Sequence, residues 1–119
     1  RYFDNGWIAG AFLEGALVAK AGLYRHKGIK VQHRGTVWGV YTAPEARGRG
    51  VMKQIIPLLI SEAKQSGIEL VLLSTNEQNP VTLNLYQRLG FTPCGREPHL
   101  LKLGDGRYIS DVVMMKELV

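Results

Sequence analysis

Arg47-Gly48-Arg49-Gly50-Val51-Met52 is a run whose residue types can hold phosphate. Ahead of it lies an apolar stretch, Thr36-Val37-Trp38-Gly39-Val40-Tyr41, that stops at Pro44. Behind it Val51, Met52, Ile55, Ile56, Leu59 and Ala63 recur at steps of three and four, the period of a helix with one buried face. A strand that runs through a glycine loop into a helix start offers an anion two things. The first helical N–H groups lack intrahelical acceptors, and the aligned peptide dipoles leave partial positive charge there. Glycine lets the backbone close on the ligand, and Arg47 and Arg49 add full charge. The expected chemistry is a diphosphate seated between Gly48 and Lys53. The Lys-Ser/Thr ending of a P-loop is lacking and so is a GxGxxG run, so neither of those phosphate-binding folds is indicated.

A second set of polar groups lies further along, in Asn79, Tyr86, Gly90 and Phe91. Asn79 and Tyr86 fall two turns apart, near one face of the same helix, so both can address one groove. Taken singly, Asn79 is explained as a helix cap and Tyr86 as a half-buried core tyrosine.

Together the two sets resemble the GNAT superfamily, the acyl-CoA-dependent N-acetyltransferases. The first matches the family's Gln/Arg-x-x-Gly-x-Gly/Ala pyrophosphate loop, and the second its Asn…Tyr…Gly-Phe helix. Met52 departs from the pattern, since a small residue is usual there; its N–H can still donate, but its side chain must point into the core. The resemblance implies that Arg47, Gly48, Arg49, Gly50, Val51 and Met52 hold the diphosphate of acetyl-CoA. It implies that the pantetheine amides hydrogen-bond the backbone of Val40, Tyr41 and Thr42, and that Asn79 contacts the pantetheine arm or an ordered water. The thioester would then reach the gap between that strand and Ile68–Ser74, with the amine on the other side. Tyr86 would be the general acid that protonates the leaving thiolate, and a backbone N–H near Tyr41 would stabilise the oxyanion.

The reaction so implied moves an acetyl group from acetyl-CoA to a primary amine of a small molecule or a protein, by direct attack in a ternary complex. An ammonium acceptor must first lose a proton, which calls for a base. His33 and Glu77 are the catalytic candidates, with His26, His99 and Asp111 behind them; loop or surface polarity explains each of these better than a catalytic role does. Trp38 and Tyr108 suit a pocket wall as well as a core, and Cys94 reads as buried filler. No metal is implied. The alternative reading is a non-catalytic acyl-CoA-binding module, supported by Met52 and by the want of a clear base. A small nucleic-acid-binding domain is a third.

The elements that must position these residues can be read in order. Trp7 to Leu13 and Ala16 to Tyr24 are strand-like runs joined at Glu14-Gly15, a hairpin. Arg25 to Arg34 is a basic loop, and Gly35 to Thr42 a third strand. A helix from about Gly50 to Gln65 contains Pro57, which should bend it, and Gly67 closes it. Ile68 to Ser74 is almost continuously apolar, so it is expected at the centre of the sheet, covered on both faces and parallel to the strand before the helix. Asn79-Pro80 opens a second helix with Val81, Leu85, Tyr86 and Leu89 on one face, ended by Gly90. Phe91 to Arg96 starts another strand; Leu100 to Leu103, a turn at Gly104-Asp105-Gly106, and Arg107 to Leu118 make a final antiparallel pair. The fold class is α/β: a mixed, mostly antiparallel sheet in the order β-β-β-α-β-α-β-β, with one parallel β-α-β crossover.

At 119 residues the expectation is a single domain over 1–119, with the family's N-terminal strand and helices missing or shortened. The net charge of +5 is scattered without a block of five cations, which argues against a nucleic-acid stripe and suits an anionic cofactor. No apolar run approaches bilayer length. One cysteine precludes an internal disulfide and suits a reducing compartment, read as cytoplasmic. A homodimer through late strands follows from the resemblance.

Overall fold

The computed structural model describes residues 2–3 and 6–119. Its strands are β1 (Tyr2–Phe3), β2 (Gly6–Leu13), β3 (Ala16–Arg25), β4 (Arg34–Thr42), β5 (Leu70–Asn76), β6 (Thr92–Lys102) and β7 (Tyr108–Glu117). Two helices, α1 (Val51–Gln65) and α2 (Pro80–Arg88), and a 3-10 turn at Pro44–Ala46 complete it. The expected element order is therefore found, with β1 and the 3-10 turn added. The chain forms two compact units, residues 1–71 with 117–119, and residues 72–116.

In the first unit β1, β2, β3 and β4 are neighbours in that order, all antiparallel, and β4 is followed by the start of β5. The carbonyl of His33 accepts from the N–H groups of Glu69 and Leu70. The starts of β4 and β5 thus lie at one end, so the two strands run parallel and α1 is their crossover. Glu14 and Gly15 both take positive φ (51° and 82°), the conformation that a two-residue hairpin matched to strand twist requires. Met52, Ile55, Ile56, Leu59 and Ala63 of α1 are buried, as their spacing demands. Each large member contributes roughly 1.5–3 kcal/mol on burial. Pro57 lies on the exposed face, so the Lys53 carbonyl that loses its donor can turn to water and the helix continues through. At the end of α1, Gly67 (φ 86°) donates to Lys64 O and Ile68 to Ala63 O, with Ile68 and Ala63 both buried. This paired closure is the Schellman motif.

In the second unit the strand order is β5, β7, β6, with β6 and β7 antiparallel. Four expectations are corrected here. β6 is one long strand, not two pieces, because irregularities at Pro93/Gly95 and Glu97/Leu101 absorb the residues that break the pattern. Cys94 is exposed and not buried, since β6 is an edge strand and exposed along its whole length. α2 is also covered differently: Val81 is 75% exposed and Leu83 joins the covered row with Tyr86 and Leu89. At about 100° per residue, Val81 lies about 140° round the helix from Tyr86. β5 is buried on the side of Val71 and Leu73, while Leu70 and Leu72 are only partly covered, so one face and not both is fully enclosed.

Candidate functional site

In the first unit the loop after β4 is built by backbone conformation. Gly48 (φ 76°) and Gly50 (φ 70°) are left-handed, which is costly for residues with a Cβ, and a Cβ added at either meets no other atom within 4 Å. Open space therefore stands beside the backbone at both. Gly50 caps α1 without any side-chain hydrogen bond, and no acidic residue sits in the first turn. The free N–H groups at Val51, Met52 and Lys53 are thus not satisfied by the protein's own side chains. Met52 turns inward and is buried, as its length requires. Val51 packs with Val18, Ala43 and Ala46, anchoring the loop. Arg47 Nε donates to the Thr42 carbonyl, and both Arg47 and Arg49 are exposed without an ion pair among the described residues. Such an array fits an anionic group of diphosphate size.

β4 itself is irregular just before the loop. Trp38 pairs with Gly22 and Tyr41 with Lys20, so Gly39 and Val40 together face Ala21 alone. Gly39 has φ 63°, the left-handed residue of a bulge. The bulge takes Gly39 and Val40 out of the ladder with β3, within the stretch expected to carry acetyl-CoA (Val40, Tyr41, Thr42). A glycine inside an otherwise strand-like run was the signal for it.

His33 is placed elsewhere. It precedes β4, at the opposite end from the loop, roughly 30 Å along a nine-residue strand at about 3.3 Å per residue. There it lines a shallow cleft of about 420 Å³ with Arg25, Ile29, Gln32, Gly67 and Glu69. That position removes it from any base role near the loop. His26 hydrogen-bonds Thr36 Oγ1 at 2.7 Å; burial first, then Arg34 and His33, holds its pKa below the usual imidazole value.

In the second unit Asn79 caps α2, accepting from the Thr82 N–H through Oδ1 at 3.3 Å, with Pro80 at the first helical position. The cap uses the acceptor of the side chain and leaves its amide donors. Tyr86 is 4% exposed, and burial raises its pKa above that of a free phenol, so it stays protonated at neutral pH. Its hydroxyl has no hydrogen-bond partner among the described residues. The end of the helix explains the rest of the motif. Gly90 (φ 95°) donates to Gln87 O, and Phe91 to Tyr86 O, another Schellman closure. The Tyr86 and Phe91 rings meet edge-on at 6.1 Å. Gly90 and Phe91 thus fix the rotation of the turn that carries Tyr86.

Glu77 follows β5, and its N–H donates to Ser110 O. Its carboxylate is held by Arg96 through two hydrogen bonds, 2.7 and 2.9 Å. The Arg96 hydrogen bonds, chiefly, keep its pKa below the usual carboxylate range. Asp111 behaves oppositely: desolvation first, then Glu97, its cross-strand partner, and Glu77 raise its pKa. His99 (φ 52°) stacks on Tyr108 at 4.1 Å, in the hairpin. Among the described residues no group of three or more His, Cys, Asp or Glu is placed to hold a metal ion, and no helix is long and apolar enough to cross a membrane.

Residues 1–91 match the sequence profile of the acetyltransferase (GNAT) family. An L-methionine sulfoximine/L-methionine sulfone acetyltransferase of Pseudomonas paraeruginosa is 32% identical over 68 residues, which is 56% of this chain and 40% of the relative. The L-amino acid N-acyltransferase MnaT of Escherichia coli is 31% identical over 61 residues, 51% of this chain and 36% of that one. The matched segment therefore spans well under half the length of these curated relatives. Among solved structures, a GNAT-family acetyltransferase of Streptococcus pneumoniae superposes with a TM-score of 0.89 at 23% identity, covering 98% of this chain and 69% of that one. A putative acetyltransferase of Salmonella typhimurium, yncA, solved with acetyl-CoA, gives 0.84 at 21% identity, covering 96% and 65%. At these identities the superpositions speak for the fold, and the sequence match speaks for descent. The chain belongs to the acetyltransferase (GNAT) family.

Proposed function

We propose that residues 1–119 act as one acetyltransferase domain that moves the acetyl group of acetyl-CoA to a primary amine by direct attack. The observation that carries this reading is the open amide cradle at Gly48–Lys53, with its two left-handed glycines, uncapped helix start and two unpaired arginines. The diphosphate is assigned to Arg47, Gly48, Arg49, Gly50, Val51 and Met52. The backbone of Val40, Tyr41 and Thr42 holds the pantetheine amides, and the unpaired amide donors of Asn79 bind its arm or a water.

Tyr86 gives its proton to the departing thiolate, a role suited to a phenol that burial keeps protonated. Glu77 is fixed by Arg96 and strongly ionised, so it orients a water and does not itself take the proton. Asp111, with its raised pKa, stands nearer the basicity that proton removal needs. A module that only binds acyl-CoA would not require a protonated, unpartnered Tyr86 hydroxyl. The relatives named for L-methionine sulfoximine, L-methionine sulfone and L-amino acids make small α-amino compounds the first acceptors to try.

Cytoplasmic residence agrees with the single cysteine, and the exposed edge strand β6 offers a surface for a homodimer. The test is a panel of amines incubated with acetyl-CoA, following thiol release and acceptor mass. Release that depends on the amine supports transfer; tight CoA binding with no release from any amine supports the binding module.

A further inference from the structure

The bulge in β4 does more than interrupt a ladder. An alternating strand places residues three apart on opposite faces, but the extra residue in β4 puts Trp38 and Tyr41 on the same one. Their partners, Gly22 and Lys20, are two apart on β3 and share that face. The opposite face carries Leu23 and Val37, both buried on the side of α1. Trp38, Val40 and Tyr41 are 45%, 40% and 48% exposed, a concentration of apolar surface that ordinary alternation does not produce. Since α1 packs against the other face, the side that bears Trp38 and Tyr41 is the exposed approach to the bulge.

The indole is seated, not loose. A Cβ at Gly22 would stand 2.6–2.9 Å from Cε2, Nε1 and Cζ2 of Trp38, so that side of the ring occupies the space a Cβ would need. Gly22 has an ordinary backbone conformation, which leaves the approach of the ring as the reason for a glycine. On the same face Lys20 is exposed and forms no ion pair among the described residues.

We infer that Trp38 and Tyr41 form an aromatic clamp on either side of the bulge that selects amine acceptors with an apolar group beside the reactive nitrogen, and that Lys20 turns away acceptors with a second positive charge. The inference rests on the acetyltransferase reading above, which assigns the pantetheine arm of acetyl-CoA to this stretch of β4. One contact between an apolar group and an aromatic wall is worth about tenfold or more in kcat/KM.

The experiment compares L-leucine amide, glycine amide and L-lysine amide as acceptors for the wild type, Trp38→Ala, Gly22→Ala and Lys20→Glu, with the KM for acetyl-CoA measured in each. The wild type is expected to prefer L-leucine amide over glycine amide by about tenfold. Trp38→Ala should erase that preference, and Gly22→Ala should weaken it by pushing the ring out without touching the acceptor. Both should leave the KM for acetyl-CoA unchanged, and Lys20→Glu should raise turnover of L-lysine amide alone. A binding readout runs beside turnover. Trp7 is buried at 7%, so in a Trp7→Phe protein the emission reports Trp38, and L-leucine amide added to the CoA complex should shift it to the blue. Equal losses on all three amides in Trp38→Ala, or an emission that L-leucine amide does not move, would overturn the clamp. Lack of thiol release from every amide would count against the transferase reading instead, and the emission titration would still decide whether the face takes an apolar amine.

Discussion

Replacing Tyr86 by Phe removes one oxygen and leaves the packing in place. The ring is 4% exposed and rests edge-on against Phe91, contacts that Phe repeats. The lost hydroxyl has no hydrogen-bond partner among the described residues, so no buried group is orphaned by its loss. Stability should therefore stay within about 0.5 kcal/mol, the range of substitutions that break no named interaction. Affinity for CoA should be unchanged, because the diphosphate seat is proposed at the Gly48–Lys53 loop and not at Tyr86. Turnover is another matter. General acid catalysis is worth roughly 10²–10⁴-fold, and a thiolate is a good leaving group, so the low end applies: about a hundredfold in kcat, or ~2.7 kcal/mol of barrier. Burial raises the Tyr86 pKa, so the wild type should keep its activity to high pH and lose it only as the phenol ionises, above its free value of 10.0. The variant should lack that alkaline limb. The assay is thiol release against pH, with CoA titrated separately by calorimetry. A variant with wild-type kcat, or one that loses CoA affinity in step with kcat, would refute the assignment of Tyr86 as the acid.

Other consequences follow from the same geometry. Gly50→Ala should cost roughly 1–2 kcal/mol, the penalty of a left-handed L-residue, and weaken CoA binding by filling the open space at the helix start; thermal melts and CoA titration read the two effects separately. Gly90→Ala should cost at least as much in melts, because φ is 95° and the new Cβ would meet Lys116 Nζ at 2.6 Å, disturbing the bond from Lys116 to the Leu89 carbonyl. For Asp111 the folded pKa is raised above the unfolded value of 3.8, so its contribution to stability is fully present below that value and is lost as pH rises through the folded pKa. Asp111→Asn should therefore raise the melting temperature at pH 7 relative to the wild type, and the gain should vanish near pH 3.

Local chemistry was legible without coordinates wherever one short segment carried the whole cause. The left-handed glycines at 48, 50, 67 and 90, the Asn79-Pro80 helix start and the buried stripe of α1 each depend on residues within a turn or two. Backbone sterics and helix periodicity act at that range. The same holds for the inward turn of Met52, forced by its length and its place in the stripe. Where the cause joined distant residues, no single segment could show it. His33 and Glu77 are polar residues at strand ends, which alone does not say which end or which partner. β4 carries His33 to the far end of the strand, and Arg96, on another strand, ties up the Glu77 carboxylate. Cys94 reads from sequence as buried filler, but burial is a property of the neighbours, and β6 has one only on the side of β7.

By itself the chain's order of residues determined the family, the kinds of element and the glycine start of α1, because these depend on spacing within contiguous segments. Tertiary structure alone decided that Gly22 is the seat of an indole, that a bulge turns Trp38 and Tyr41 to one face, and that Asp111 faces other carboxylates. Strand register brings those partners together from far along the chain, and register is an outcome of the whole sheet's packing, written in no single segment.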